Sequence, residues 1–561
     1  PAAVKPVTGQ PAAADTAAPP PAAPETATAK PEGELPAANA LAPNRAVSAP
    51  EAGKPASEPA PAEAVTQPPA TPEAKALQKA LAALPEGQTD EERNERAALL
   101  AFYEARGYGP LWLTPQGAPT PRASAVSGEI ARAGEWGLDA SGFVLPPADK
   151  IAASPDEIAA DEIKISQAVL KYGRYARGGR IINPSEQLSS YLDRRPQLLK
   201  PEAILDGISA ADDAAAYLRG LNPRHPQFEK LRQKYLALLN RNKKQSARTK
   251  RQLARLLANM EEWRWMPANM GSIYIWNNVP DFTQRVVKNG KVIRKVRIVA
   301  GEKDKQTPAF TRNLKKITFR PTWIVPDSIK AREIWPSLLH GGRLMHEWQL
   351  EMYTKDGQLV DWRRIDWSST DILKYDVIQP NGPKTVLGKV KFSFPSQHTI
   401  FMHDTRAVDK WMFNVSRRTY SHGCMRVADP VGLAKIALKE DKGWTAAQVE
   451  DALYNGPLNN EFTIEHKIPV HMTYFTALVD KNGKLRTFPD VYGHERRIRL
   501  ALQGKWNRID KGRNHLAPVK VDLSTAYRQR DWEDERDETG WGRERNWRHN
   551  GGGLAGFLFG E

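Results

Sequence analysis

The 561-residue chain has a single cysteine, Cys424, set in Ser421-His422-Gly423-Cys424-Met425-Arg426. A further histidine, His403, lies upstream at the end of the apolar run Thr399-Ile400-Phe401-Met402. A thiol becomes a good nucleophile when a nearby base or a positive field favours its thiolate. One nucleophile and two imidazoles in a short span could therefore carry nucleophilic catalysis. Gly423 permits a tight backbone path in which amides point at a developing oxyanion. The competing reading is a buried, inert cysteine, since free Cys is among the most buried residue types. Ser, His, Gly and Arg make a poor apolar pocket and a good polar site, so residue chemistry alone leaves both readings open.

His403, the seventeen residues 404 to 420, and then Ser-His-Gly-Cys-x-Arg resemble the signature of the L,D-transpeptidases that cross-link peptidoglycan. The likeness extends to Pro321-Thr322-Trp323-Ile324-Val325-Pro326-Asp327-Ser328-Ile329, to Leu387-Gly388-Lys389-Val390-Lys391-Phe392 and to His403-Asp404-Thr405. These stretches resemble the large, capped, YcbB-like members of Gram-negative envelopes, over roughly residues 85 to 490. The resemblance implies Cys424 as nucleophile and His403 as general base, with the backbone carbonyl of Asp404 orienting the imidazole. It places the oxyanion hole in the backbone near Cys424 and gives Ser421, His422 and Gly423 supporting roles in the loop. Arg426 reads either as a clamp for a substrate carboxylate or as half of an internal salt bridge.

The implied reaction is a two-step acyl transfer. Cys424 attacks the amide after the third stem residue, a diamino acid, and D-alanine leaves. The side-chain amine of a neighbouring stem then resolves the thioester, giving a 3→3 cross-link without a cofactor. Two rivals stay open on the same residues. One is hydrolysis, as an L,D-carboxypeptidase or a wall-protein-detaching enzyme. The other is a non-catalytic envelope scaffold.

The elements that must position these residues fall into an α+β arrangement. Residues 1–75 are almost all Pro, Ala, Glu, Thr and Lys, a composition that cannot bury enough apolar surface to order itself and reads as a disordered linker. From 76 to 270 the pattern is helical: 72–106, 156–177, 225–240, and Leu253, Leu256, Leu257 and Met260 at i, i+3, i+4, i+7. Apolar side chains on the turn from Tyr103 to Trp112 should pin one helix on the next, and Trp136-Gly137 reads as a helix exit. By resemblance this is a helical scaffold domain. Where many relatives carry a small peptidoglycan-binding module, the chain runs Asn240-Arg241-Asn242-Lys243-Lys244-Gln245, and that module is expected to be missing.

Strand patterns begin at Ser272, with Asn289-Gly290 between alternating apolar runs as a hairpin signal. Residues 271–480 are expected to form the mostly β L,D-transpeptidase sandwich, with strands near 317–325, 347–354, 390–394, 398–403 and 468–479 and a helix over 430–455. An insertion at about 327–387, with Trp335, Trp348, Trp362 and Trp367, is by resemblance a capping subdomain. Its tryptophans are either lid core or an aromatic wall for substrate. Residues 481–561 read as a basic, largely disordered tail.

The net charge is +16, from 81 Lys+Arg against 65 Asp+Glu, with a pI near 9.6. Such a chain is attracted to polyanions. No nucleic-acid-reading signature appears, so the expected polyanions are peptidoglycan stem carboxylates, donor and acceptor, and anionic envelope surfaces. His340 and His346 lack the partners of a familiar zinc spacing, and no metal is expected. A lone cysteine suits an exported thiol enzyme, because it cannot mispair in an oxidising compartment. No run of eighteen apolar residues is present, and a removed export signal or anchor would precede this sequence.

Overall fold

The computed structural model describes residues 70–240 and 246–524, so most of the Pro/Ala-rich arm, the Arg241–Gln245 stretch and the end of the tail lie outside it. Helical structure starts slightly earlier than the composition suggested. Thr71 caps a helix Pro72–Ala82 through its side chain, with Pro72 in the first turn, where a missing N–H costs nothing. The helical pattern expected over 72–106 is two helices. Leu84-Pro85 interrupts it, and Thr89 with Glu92 forms a capping box that starts the second helix, Asp90–Glu104.

A long helix, Pro155–Gly178, forms the spine of this helical region. The turn after Tyr103 does pin against it, with Trp112 fully buried, but the pin is polar as well as apolar. Glu162 accepts from the Tyr103 hydroxyl at 2.9 Å, from the Trp112 amide at 3.0 Å, from the Leu113 amide at 3.2 Å and from the Leu111 amide. Ser166 meanwhile takes the Trp112 indole N–H at 2.7 Å. Gly137 closes a short 3-10 turn at φ +75°, as its helix-exit pattern predicted.

Helices Pro226–Asn240 and Ala247–Arg264 pack together through Phe228, Leu231, Leu253, Leu256 and Met260. The same apolar cluster continues into Tyr274, Trp276, Phe475 and Val479 of the following β domain. Helical scaffold and β domain therefore share core across residue 270, and no linker separates them.

The β domain is built on strands β1 Ile273–Asn278, β2 Thr283–Lys288, β3 Lys291–Gly301, β4 Phe310–Asn313, β5 Lys316–Phe319, β6 Trp323–Ile324, β7 Glu351–Tyr353, β8 Asp376–Gln379, β9 Val390–Ser393, β10 Met402–His403, β11 Thr419–Ser421, β12 Met425–Val427, β13 Asn460–Thr463 and β14 Pro469–Thr473. Hydrogen bonds link them in the order β13-β5-β9-β10-β12-β3-β2-β1-β14-β4, with β11 added to β3. Asn289 and Gly290, at φ +48° and +74°, form the two-residue turn between β2 and β3 that pairs Lys288 with Lys291. The helix expected over 430–455 is two helices, Pro430–Lys442 and Ala446–Tyr454. Gly443 ends the first in a left-handed cap, and Thr445 boxes the start of the second.

The insertion has its own sheet, β6-β8-β7, and its own core. Trp335, Trp348 and Trp367 are buried there with Met352, Ile372 and Val377, so they are core rather than an open aromatic wall. Trp362 packs against that core from its edge, near the ring of His346. This core reaches Val299, Met412 and Phe413 of the main domain.

The described part of the tail departs from its expectation, while residues 525–561 lie outside the described residues. Within 481–524, helix His494–Leu502 buries His494, Glu495, Ile498 and Ala501, and Val521 and Leu523 pack onto the core of the insertion. Its mixed charge occupies the exposed face of a short amphipathic helix, which hid the apolar stripe from a compositional reading. Among the described residues, no helix is long and apolar enough to cross a membrane.

Candidate active site

Strand pairing brings the two predicted reactive residues together. β10 runs parallel to β12 with Met402 opposite Met425 and His403 opposite Arg426, and antiparallel to β9 with His403 opposite Lys391. Directly paired residues share a face of the sheet, and so do residues two apart on one strand. Lys391, His403 and Arg426 thus form a row on one face, and Cys424 directly precedes β12, near enough for the Arg426 and Lys391 charges to act on its thiol. The two-residue length of β10 suffices because Met402 faces the opposite way into the core, where it is fully buried.

The loop before Cys424 is held from within and from behind. The Ser421 hydroxyl donates to the Cys424 carbonyl at 2.5 Å and accepts from the Gly423 amide at 3.3 Å. Gly423 sits at φ +112°, which a side chain would strain. Its carbonyl accepts from Thr307 Oγ1 at 2.8 Å, and that oxygen also takes the Gly301 amide at 2.9 Å. Tyr492, in the segment expected to be unstructured, donates to the Gly301 carbonyl at 2.5 Å and accepts from the Thr307 amide at 3.3 Å. Sequence reasoning missed Thr307 and Tyr492, since neither has a local signal.

His422 turns away from the sheet row toward the insertion. Its Nε2 lies 2.5 Å from Glu333 Oε1 and 2.8 Å from Lys305 Nζ, and Lys305 also donates to Glu333 at 2.9 Å. Burial would raise the Glu333 carboxyl, but His422 and Lys305 hold it below its usual range. Glu333 lies in a π-helical turn, Lys330–Ile334, of the kind often found at functional sites. The insertion thus grips the cysteine loop directly. Asp404 is buried, and its Oδ2 accepts the Lys389 amide at 2.9 Å, which fixes the Gly388 turn.

Burial governs the electrostatics. It pushes the Cys424 thiol up to about 11, while the Phe401 amide, Arg426 and Lys391 pull it back only in part. Burial, with help from the Arg426 charge, lowers His403 to about 3 against the carbonyls of Asp404 and Leu387. Both partners are therefore neutral at rest near pH 7. His403 Nδ1 and Arg426 Nε are buried with no hydrogen bond of good geometry among the described residues. Arg426 is buried, and its Nη1 rests 3.0 Å from Met412 Sδ; no ion pair forms to it among the described residues. Asp409, the carboxylate whose charge it feels most, is bonded by Arg406 at 2.7 and 3.1 Å.

His340 and His346 lie on the far part of the insertion, and no group of metal-binding side chains occurs among the described residues. A cavity of about 540 Å³ adjoins the loop, lined by Ile400, Phe401 and His422 and by Ile324, Arg332 and Glu333 of the insertion. A larger one, of about 820 Å³, lies against Tyr492 and Arg497, and neither cavity has Cys424 or His403 in its walls.

A helical scaffold precedes a mostly β domain, and an insertion holds the loop that carries Cys424. Residues 97–234 match the Scaffold domain family, and residues 248–448 match the L,D-transpeptidase catalytic domain family, YkuD. A curated protein of Haemophilus influenzae, named provisionally as an L,D-transpeptidase, is 25% identical over 428 residues, which cover 75% of this chain and 83% of its own. The chain carries an L,D-transpeptidase catalytic domain with a scaffold domain before it.

Proposed function

We propose that this chain forms 3→3 cross-links in peptidoglycan through a thioester on Cys424, working in the cell envelope. The observation that supports the reading is the parallel pairing of β10 with β12, which puts His403 beside Arg426 and Lys391, with Cys424 one residue before β12. Cys424 Sγ attacks the carbonyl carbon after the third stem residue as its proton passes to His403. The amide nitrogen then leaves with that proton as D-alanine. The side-chain amine of an acceptor stem attacks the thioester, gives its proton to His403, and the thiol is restored as the new amide forms. Because the Gly423 amide is engaged by Ser421, the Cys424 amide is the donor left for the oxyanion.

Arg426 and Lys391 act in this scheme as a field. They favour the thiolate as it forms and return the proton readily from His403, a role their burial suits better than a surface clamp. The insertion, holding the loop through Glu333 and His422, excludes water from the thioester and so favours an amine acceptor.

The test is incubation of the purified chain with disaccharide-tetrapeptides, followed by mass spectrometry of the products. Equimolar D-alanine and a 3→3 dimer support the proposal. Tripeptide and D-alanine without dimer would assign hydrolysis instead, and no release of D-alanine would refute both.

A further inference from the structure

The cavity beside the cysteine loop is bounded by three parts of the chain. The insertion supplies Arg332, the scaffold Tyr191, and the segment after helix His494–Leu502 supplies Arg513. Most charges on its wall have a partner. Lys305 meets Glu333 at 2.9 Å, Lys330 meets Asp327 at 2.8 Å, and Asp376 is held by Lys355. Arg332 and Arg513 are the exceptions: neither forms an ion pair among the described residues. The one hydrogen bond of either guanidinium among the described residues is a long one, from Arg513 Nη2 to the Asp304 backbone carbonyl at 3.4 Å.

The two guanidiniums are also close enough to repel. Arg332 feels Arg513 as its strongest unfavourable charge after its own desolvation, opposed by Tyr191, Asp304 and Glu333. On the wall, Lys305, Lys330, Arg332 and Arg513 stand against Asp327, Glu333 and Asp376, which leaves an excess of one positive charge for a ligand to neutralise. The fold holds them there by specific means. His515 stacks on Tyr191 at 3.8 Å and bonds Ser190 at 2.9 Å and His398 at 2.8 Å, which anchors the segment carrying Arg513. The π-helical turn sends Arg332 and Glu333 to different tasks, Glu333 to His422 and Arg332 to the mouth of the cavity. Ile324, 64% exposed on the same wall, adds an apolar surface.

We propose that Arg332 and Arg513 form a carboxylate-binding site for a stem peptide, which holds the peptide by a free carboxylate while its amide reaches Cys424. The proposal rests on the peptidoglycan reading above and names a contact for that substrate. A guanidinium pairs with a carboxylate through two parallel hydrogen bonds, and two guanidiniums around one carboxylate give both affinity and direction.

The experiment measures binding by calorimetry to the full chain carrying Cys424→Ala, which cannot turn over. The probes are a disaccharide-tetrapeptide and the same molecule with its stem carboxylates converted to carboxamides. The expected result is a preference for the carboxylate form of about tenfold or more, lost in Arg332→Gln/Arg513→Gln and partly kept in Arg513→Lys. An equal preference in the double variant, or none in its parent, overturns the proposal. Turnover by the native chain keeps the two readings apart. D-alanine release from tetrapeptide donors without a carboxylate preference refutes the arginine site alone, whereas neither binding nor release refutes the peptidoglycan reading and this site with it.

Discussion

Glu162 in the scaffold and His403 in the sheet are buried ionisable groups, Cys424 in the loop beside β12 is half-buried, and the fold surrounds them in opposite ways. Glu162 is met by four donors, three of them backbone amides of one turn. Burial raises its carboxyl to about 7, held from going further by those bonds. His403 Nδ1 and Arg426 Nε, in contrast, have no good partner, and both reactive groups are neutral. A buried polar group left unsatisfied costs about 1–3 kcal/mol, so such groups persist where something besides stability selects them. Glu162 is fully satisfied, whereas His403 Nδ1 and Arg426 Nε are not.

The strongest way to test that contrast is to remove the reactive pair. Cys424→Ala and His403→Ala should each lower D-alanine release by about a thousandfold or more while near-UV circular dichroism stays native. More than a few per cent residual activity with tetrapeptide donors would show that the assignment is wrong.

The scaffold side should behave in the reverse sense. Glu162→Ala leaves three amides without an acceptor, and a loss on the order of 3 kcal/mol in urea unfolding is expected, with kcat per folded molecule unchanged. A catalytic defect without a stability defect would erase the distinction.

Protonation offers a graded measure. With the thiol near 11, alkylation of Cys424 by neutral iodoacetamide should rise about tenfold per pH unit between pH 7 and 10. A plateau near neutrality would mean a preformed thiolate. His403 is depressed to about 3, whereas an unfolded histidine protonates near 6.5. Only the unfolded chain therefore takes up that proton as pH falls from about 6.5 toward 3, and stability is lost over that window. His403→Ala should flatten this acid loss.

The smallest expected effect concerns the insertion. Shortening it between Pro326 and Gly388 should raise the ratio of tripeptide to dimer severalfold while Cys424 still acylates with a carbapenem. An unchanged ratio in a folded, acylation-competent variant would show that acceptor choice lies elsewhere.

Local chemistry was legible in the residues themselves. Asn289-Gly290 specified its hairpin because both positions tolerate positive φ, and the His403-to-Cys424 spacing pointed to one site. The helix breaks at Pro85 and Gly443 were equally local and were passed over because the apolar pattern runs across them. Glu333, Thr307 and Tyr492 could not be read, because their contacts at and behind the loop span about 90 to 190 residues of chain and only the fold closes that distance. Helix His494–Leu502 did leave a signal, His494, Ile498 and Ala501 at i, i+4, i+7, under a surface of arginines.

The hydroxyl of Tyr492 has a consequence for the newborn protein. The cysteine loop is braced by a residue that leaves the ribosome about 70 positions later, a delay of roughly 3–14 s at about 5–20 residues per second. Until then the strand row can pair, but the carbonyl of Gly301 and the amide of Thr307 await their common partner. A nascent chain not yet extended to Tyr492 would carry its nucleophile on an unsupported loop, so the reactive thiol matures only after that residue has emerged.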